Sequence, residues 1–146
     1  MIIDSLLKVS AAQALAATAL STSSIDLGAE KRRIGDGDSL GFMVTIDVAA
    51  DHTTGDETYE VDIVSADSAD LATNLTTIEQ RVIAATALTA GSKHFIPLPK
   101  NTPIQQFLGL KFILGGTTPS VTLSAELSPS DMVAADPFHY KKNYAV

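Results

Sequence analysis

Three histidines and a few groups of carboxylates are the residues of this chain that could take part in chemistry. His52, His94 and His139 are far apart in sequence, and no two of them have the H-x-x-x-H spacing of a metal-binding pair. We therefore expect hydrogen-bonded or solvated histidines. Serine and threonine are abundant, but we predict no nucleophile elbow of the G-x-S-x-G type. The sequence thus predicts no catalytic residues.

The segment DGDSLG, residues 36–41, resembles the first half of an EF-hand calcium loop. Asp36, Asp38 and Gly41 fit that pattern, but Leu40 occupies a ligand position and Asp47 replaces the glutamate at position twelve. The residues from Leu40 onwards alternate like a strand, whereas an EF-hand loop is followed by a helix. We interpret the aspartates as caps for backbone donors at a strand entry and predict neither a metal site nor a cofactor.

An acidic segment could in principle supply the two carboxylates of a glycosidase. It contains Asp51, Asp56, Glu57, Glu60 and Asp62. Glu60 and Asp62 alternate with apolar residues, and the chain has no Trp and only 5% aromatic residues to hold a sugar ring. We therefore predict a solvated strand face at Glu60 and Asp62.

Charge and composition exclude further classes of protein. The net charge is −7, with 17 acidic and 10 basic residues, whereas nucleic-acid binding requires a basic surface. Cysteine is absent, so disulfides and thiol nucleophiles are excluded. No run approaches the ~20 apolar residues of a membrane span, and Asp4 and Lys8 interrupt any secretory signal. We predict no nucleic acid and no membrane as partner.

Alternation of apolar and polar residues predicts the elements that must position any site. Residues 39–48 and 58–65 alternate with period two, and we interpret them as neighbouring antiparallel strands. Residues 107–114 and 121–127 alternate likewise, and the Gly-Gly turn between them predicts a hairpin. For residues 66–75 we predict a short helical turn. The remaining predicted strands are 14–19, 24–27, 76–84 and 94–98.

About eight short strands without a sustained helical period predict an all-β fold. The 146 residues have the length of one domain, so we assign residues 1–146 to a single domain. An antiparallel β-sandwich of the jelly-roll type accommodates this strand number. Pro97 cannot donate a ladder hydrogen bond, which predicts an edge position or a strand end for residues 94–98.

The two ends of the chain differ from this strand-rich body. We predict an N-terminal arm at residues 1–8, which is too apolar to remain in water, and a C-terminal aromatic tail at residues 132–146. A terminal segment of this kind packs on its own domain or on a neighbour. The predicted interface residues are Ile2, Ile3, Leu6, Leu7, Phe138, Tyr140 and Tyr144.

Several segments, taken in order, resemble the Bbp16-like capsid cement proteins of tailed phages. They are the opening MIIDSLLKVSAAQALAATALSTSSIDLG, the middle VTIDVAADHTTGDETYEVDIVSADSADL, and the later GSKHFIPLPKN and FLGLKFILGGTTPSVTLSAELSP. The resemblance implies a jelly-roll protein that binds the outer surface of a phage head and stabilises contacts between major capsid protein subunits. It also implies a homo-oligomer, for which we favour a dimer over a trimer, and it implies no enzyme.

A second class of protein fits the same pattern of strands. A β-sandwich binding module of a virion, such as a fibre domain or a carbohydrate-recognition domain, would have the same alternation and the same lack of catalytic residues. The scarcity of aromatic residues argues against sugar recognition. Binding to a glycan array would distinguish this alternative from a cement protein.

Overall fold

The computed structural model of the protein describes residues 5–29, 32–33, 40–100 and 102–129. Almost all regular structure in these residues is β. Short 3-10 turns occur at Ser5–Leu7 and Ala85–Ala87. The strands are β1 (Lys8–Leu15), β2 (Ala19–Leu20), β3 (Ile25–Asp26), β4 (Arg32–Arg33), β5 (Leu40–Val48), β6 (Thr58–Ala66), β7 (Thr76–Ile83), β8 (Lys93–Pro97), β9 (Pro103–Ile104), β10 (Phe107–Gly115) and β11 (Val121–Pro129).

Two antiparallel sheets form a sandwich. Sheet A has the order β1-β11-β5-β8, and sheet B has the order β2-β10-β6-β7 with the short β3 also paired to β10. Strands β4 and β9 form a separate small pair. If β1, β2, β5, β6, β7, β8, β10 and β11 are counted one to eight, the sheet orders are 1-8-3-6 and 2-7-4-5. This is the strand order of a jelly roll, so the predicted fold class is confirmed.

The predicted pairing of two pairs of strands is wrong. β5 and β6 are consecutive but lie in different sheets, and so do β10 and β11. The segment from Leu110 to Leu127 is therefore a crossing between the sheets and not a hairpin. Alternation reports which face of a strand is buried, and both arrangements bury the same residues, so the pattern did not distinguish them.

The core lies between the two sheets, where the apolar faces of the strands meet. The side chains of Phe42, Ile63, Ile96, Leu108 and Leu110 are fully buried there. Burying a side chain of this size contributes about 1.5–3 kcal/mol relative to its exposed state. Alternate residues of β5, β6, β10 and β11 belong to this cluster, whereas Val48 at the end of β5 is 58% exposed.

The predicted helical turn at residues 66–75 is wrong. Leu71 and Asn74 have positive φ angles of 59° and 51°, which an α-helix cannot contain. The loop instead folds Leu71 over the outer face of sheet B, where it forms a second small cluster with Val64 and Ala66. Gly109 allows this contact, because a Cβ there would lie 2.6 Å from Leu71 Cδ1.

The N-terminal strands begin and end elsewhere than predicted. β1 starts at Lys8 and ends at Leu15, so the predicted strand at residues 14–19 is divided by the crossing from β1 to β2. A run of alanines carries little alternation, which explains the error. The later predictions were better: β7 and β8 lie close to the predicted bounds, and Pro97 is the last residue of an edge strand.

Candidate functional site

The sandwich has two long sides where the edges of the sheets come together, and one of them is open. We call it the open side and define it by β7, the edge of sheet B, and β8, the edge of sheet A. Neither strand has a second hydrogen-bonded neighbour among the described strands. A cleft of about 350 Å³ lies between the two edges. Its lining consists of Arg81, Val82, Ile83, Ala84, Lys93, His94, Phe95 and Ile96.

The strand registers explain why Arg81 and His94 line this cleft. Arg81 is paired with Val61, and Val61 faces the core, so Arg81 also lies on the inner side of sheet B. Because β7 is an edge strand, an inward side chain there reaches solvent, and Arg81 is exposed. His94 is paired with the core residue Val44, and its Nε2 lies 3.1 Å from Ser92 Oγ. An inward charge on an edge strand is a common protection against unwanted strand pairing.

The opposite long side is closed by hydrogen bonds between the sheets. We call it the closed side and define it by β1 and by residues 19–23. The carbonyl oxygen of Val9 accepts hydrogen bonds from the backbone N–H of Ser23 at 2.9 Å and from Thr22 Oγ1 at 3.1 Å. Gln13 Nε2 donates to the carbonyl oxygen of Leu20 at 2.9 Å. Ser21 holds this segment within sheet B, because its Oγ accepts from the buried backbone N–H of Leu110 on β10 at 3.1 Å.

A network of hydrogen bonds joins the β5–β6 and β10–β11 crossings at one end of the sandwich. The Tyr59 hydroxyl donates to the carbonyl oxygen of Asp51 at 2.6 Å and accepts from the backbone N–H of Ser120 at 3.2 Å. Burial, followed by the neighbouring carboxylates, raises the pKa of Tyr59. The Asp56 carboxylate accepts from the backbone N–H and the hydroxyl of Thr117. The Tyr59 hydroxyl therefore links the two crossings.

The carboxylates in this network are stabilised as anions. Hydrogen bonds from Thr117, the largest of them from its backbone N–H, lower the pKa of Asp56. The Thr54 hydroxyl, together with the backbone N–H groups of Thr54 and Gly55, lowers the pKa of Glu57. Carboxylates held in this way cap the loop, and their lowered pKa values make them poor general acids at neutral pH.

Asp62 differs from the solvated residue that the alternating pattern predicts. Asp62 is only 1% exposed, and its Oδ1 has no hydrogen-bond partner among the described residues. Burial, with the nearby Glu60 carboxylate as the second cause, raises the pKa of Asp62, while Gln80 and Lys111 act in the opposite direction. Gln80 and Lys111 stand opposite Asp62 on the two neighbouring strands. Alternation predicted the face of Asp62 correctly but not the side chains that cover that face.

The described residues include two of the seven predicted interface residues. Leu6 is 79% exposed, whereas Leu7 is half-buried and packs against the core of its own chain. The other five predicted interface residues lie outside the described residues: Ile2, Ile3, Phe138, Tyr140 and Tyr144. The predicted arm at residues 1–8 ends inside β1, because Lys8 is the first residue of that strand.

The candidate chemical residues do not converge in the described part of the chain. Within it, no three His, Cys, Asp or Glu side chains are grouped so as to hold a metal ion. His52 Nδ1 lies 3.2 Å from the carbonyl oxygen of Ala50, which gives this imidazole a local partner. His139, Asp36 and Asp38 lie outside the described residues.

The expectation that the chain has no G-x-S-x-G segment is wrong. Residues 37–41, GDSLG, do match the letters of G-x-S-x-G, although no such segment was expected. Ser39 lies outside the described residues, and strand β5 begins at Leu40. A nucleophile elbow joins a strand to a following helix. Because a strand follows here, the local structure does not fit an elbow.

Sequence reasoning missed the cleft of the open side. The signal was present in TIEQRVI, where Glu79 and Arg81 share a face with Ile83. Two charged residues on the same face as a buried one are typical of an edge strand. The other wall of the cleft comes from β8, and only the sheet topology brings β7 and β8 together.

The strand order defines the class of the protein as a jelly-roll β-sandwich. The family model described as Bbp16 matches residues 9–127, so the chain belongs to the Bbp16 family, which is phage-related. The match starts at the second residue of β1 and ends within β11. A comparison with curated proteins gave no match. Among the described residues, no helix is long and apolar enough to cross a membrane.

Proposed function

We propose that this protein is a capsid cement protein, which binds the outer surface of a tailed-phage head and stabilises contacts between major capsid protein subunits. The observation that carries the proposal is the family match, which covers the jelly-roll body from Val9 to Leu127. A rigid body with a large core suits a clamp between subunits. The role requires no catalytic centre, no cofactor and no metal.

The proposed mechanism is preferential binding to the assembled shell. A ligand that binds one state and not the other stabilises that state in proportion to its affinity and concentration. A protein interface of standard size buries about 1,600 Å² in total. One cement molecule that contacts two shell subunits makes its second contact intramolecular, so two modest contacts combine into strong attachment.

The ends of the chain are the proposed contact segments. The seven predicted interface residues lie outside the matched range 9–127. We propose that they contact either the shell or a second copy of the chain, with a dimer favoured over a trimer. The exposed side chain of Leu6 is consistent with a contact surface at the N-terminal end.

A reconstitution with heads that lack the protein tests this function. Purified protein is added to such heads, the heads are sedimented, and their resistance to mild denaturant is measured. We expect saturable co-sedimentation and a higher denaturant concentration for head disruption. Failure to sediment with the heads would contradict the proposal, and glycan binding without head binding would favour the alternative binding module.

Deletion of residues 132–146 tests the contact segments. We expect lower head occupancy or a smaller oligomer, because the aromatic side chains of the tail bury large apolar areas at interfaces. A matched pair of variants separates packing from charge. Replacing Phe138, Tyr140 and Tyr144 by serine should reproduce the loss, whereas replacing Lys141 and Lys142 by glutamine should not. Occupancy and oligomer size are measured by gel densitometry of sedimented heads and by analytical ultracentrifugation, and unchanged values for the deletion would refute this part of the proposal.

A further inference from the structure

The outer face of sheet B carries two neighbouring rows of side chains, each of which crosses β7, β6 and β10. The first row is Val82, Glu60 and Ile113, and the second row is Gln80, Asp62 and Lys111. Their chain neighbours Val61, Ile83 and Phe112 belong to the core, so these six side chains are on the side of the sheet that faces away from it. We call the six residues the outer patch. It contains two carboxyl groups and one ammonium group, so negative charge is in excess.

The second row leaves a buried acceptor without a donor. Asp62 is 1% exposed, and its Oδ1 has no hydrogen-bond partner among the described residues. Burial, and then the Glu60 carboxylate, raise the pKa of Asp62. Gln80 and Lys111 act in the opposite direction but do not outweigh these two causes. A buried acceptor that lacks a partner is unfavourable, so a further N–H donor at this point stabilises the patch.

The neighbours of Glu60 favour one kind of donor. Glu60 is half-buried and stands between Val82, which is 70% exposed, and the half-buried Ile113. A metal ion with oxygen ligands gains nothing from these aliphatic side chains, and the Lys111 ammonium beside Asp62 repels it. An arginine side chain fits both features. Its aliphatic stem packs on apolar surface, and its planar fork of five N–H donors can pair with one carboxylate and still reach a second oxygen.

We propose that the outer patch binds an arginine side chain of a partner protein. The guanidinium pairs with the Glu60 carboxylate and donates a further hydrogen bond to Asp62 Oδ1. The stem of the arginine lies against Val82 and Ile113. Asp62 becomes accessible when the long, flexible side chains beside it in the second row move aside. This inference does not depend on the proposed capsid role, since the outer patch belongs to the jelly-roll body.

A titration followed by nuclear magnetic resonance tests the inference on the full-length chain labelled with ¹⁵N. The probe is the peptide acetyl-Leu-Arg-Leu-amide. One control peptide has citrulline in place of arginine, which keeps the shape and removes the charge, and a second control has lysine. We expect saturable shifts of the backbone amide signals of the outer patch with the arginine peptide. Binding should be weaker by about fivefold or more for both controls.

Neutral variants locate the binding to the outer patch. Glu60→Gln and Asp62→Asn each remove one negative charge from it, and both should weaken binding of the arginine peptide by about fivefold or more. Glu79→Gln is the matched control, because Glu79 is on β7 but is paired with the core residue Ile63 and so lies on the inner face. It should bind the peptide like the wild type. If Asp62→Asn does not fold, Glu60→Gln alone decides.

Three results would overturn the inference. The first is unchanged binding by a folded Glu60→Gln or Asp62→Asn variant, and the second is equal binding of either control peptide. The third is the appearance of the same amide shifts with magnesium or calcium chloride at a lower concentration than with the peptide, which would indicate a metal site.

Discussion

The closed side and the open side of the sandwich solve the same structural problem in opposite ways. Both are places where two sheet edges approach each other and expose unpaired backbone groups. On the closed side, hydrogen bonds from Thr22, Ser23 and Gln13 link residues of one sheet to the other. On the open side a cleft remains, and an inward-facing arginine occupies its rim. Among the described residues, β7 and β8 have no second hydrogen-bonded strand neighbour.

The two sides differ in what their residues are expected to contribute: the closed side contributes to folding stability, and the rim of the open side is available for binding. The closed side satisfies its polar groups internally, so changes there should lower the free energy of unfolding. The exposed rim of the open side makes few internal bonds, so changes there should affect binding with little effect on folding. Only the floor of the open side belongs to the core.

The largest expected effect comes from the floor of the open side. Replacing Ile96, which is fully buried, by alanine should lower the free energy of unfolding by about 2–5 kcal/mol because it leaves a cavity. Val82→Ala on the rim of the same cleft is the control and should change stability by about 0.5 kcal/mol or less. Urea denaturation followed by circular dichroism measures both. Equal destabilisation by the two variants would show that floor and rim do not differ.

The next largest effect on the free energy of unfolding comes from a serine-to-alanine substitution, which is compared on the two sides. Ser21→Ala on the closed side leaves the buried N–H of Leu110 without its 3.1 Å acceptor and should cost about 1–3 kcal/mol. Ser92→Ala near the open side removes an exposed bond to the carbonyl oxygen of Thr89 and should cost about 0.5 kcal/mol. The two unfolding midpoints in urea provide the test. If Ser92→Ala lowered the free energy of unfolding more than Ser21→Ala, the closed side would not be the more stabilising of the two sides.

The smallest expected effect depends on pH and concerns Asp62, which lies on β6 beside the open-side strand β7. The folded state raises the pKa of Asp62 above its ordinary value of 3.8, so the native state retains that proton more tightly than the unfolded state. Stability therefore falls as the pH rises from that value through the folded pKa, and the penalty persists at pH 7. Asp62→Asn should raise the urea midpoint at pH 7 and have little effect near pH 3.

The control for Asp62 is Asp70, whose pKa is lowered and not raised in the folded state. Hydrogen bonds, first from Ser68 and then from the backbone N–H of Ala72, lower the pKa of Asp70. That contribution is present above the ordinary pKa and is lost as the pH falls through the folded value. Asp70→Asn should therefore lower the midpoint at pH 7 and have little effect at low pH. If Asp62→Asn lowered the midpoint at pH 7, as Asp70→Asn is expected to do, the role of burial at Asp62 would be refuted.

The sequence predicted the fold class and most strands, because each strand carries its own alternation of apolar and polar residues. It did not predict the partners of those strands. Residues 110–127 look like a hairpin because two alternating runs flank a Gly-Gly turn, yet β10 pairs with β6 while β11 pairs with β1 and β5. Alternation is a property of one strand, whereas pairing depends on two segments that are far apart in sequence.

The candidate site was less predictable for the same reason. Arg81 and Lys93 are ordinary surface residues in sequence, and they line one cleft only because β7 and β8 are the open edges of two different sheets. Asp62 is similar: its face was correctly predicted, but its burial depends on the strands next to it. Seven interface residues were predicted from apolar and aromatic character alone, and all seven remain predictions; Leu7 also packs against its own core.

The strand order also sets the order in which the chain can fold during synthesis. Among the main strands of the described residues, β6 and β7 are the one hydrogen-bonded pair that is consecutive in sequence. Strand β1 pairs with β11, so Leu15 meets a partner, Val121, that lies 106 positions later. At about 5–20 residues per second, the ribosome needs about 5–20 s to supply that partner. During this interval the β6–β7 hairpin can form, while β1 remains an unpaired apolar strand that other nascent chains or chaperones can reach.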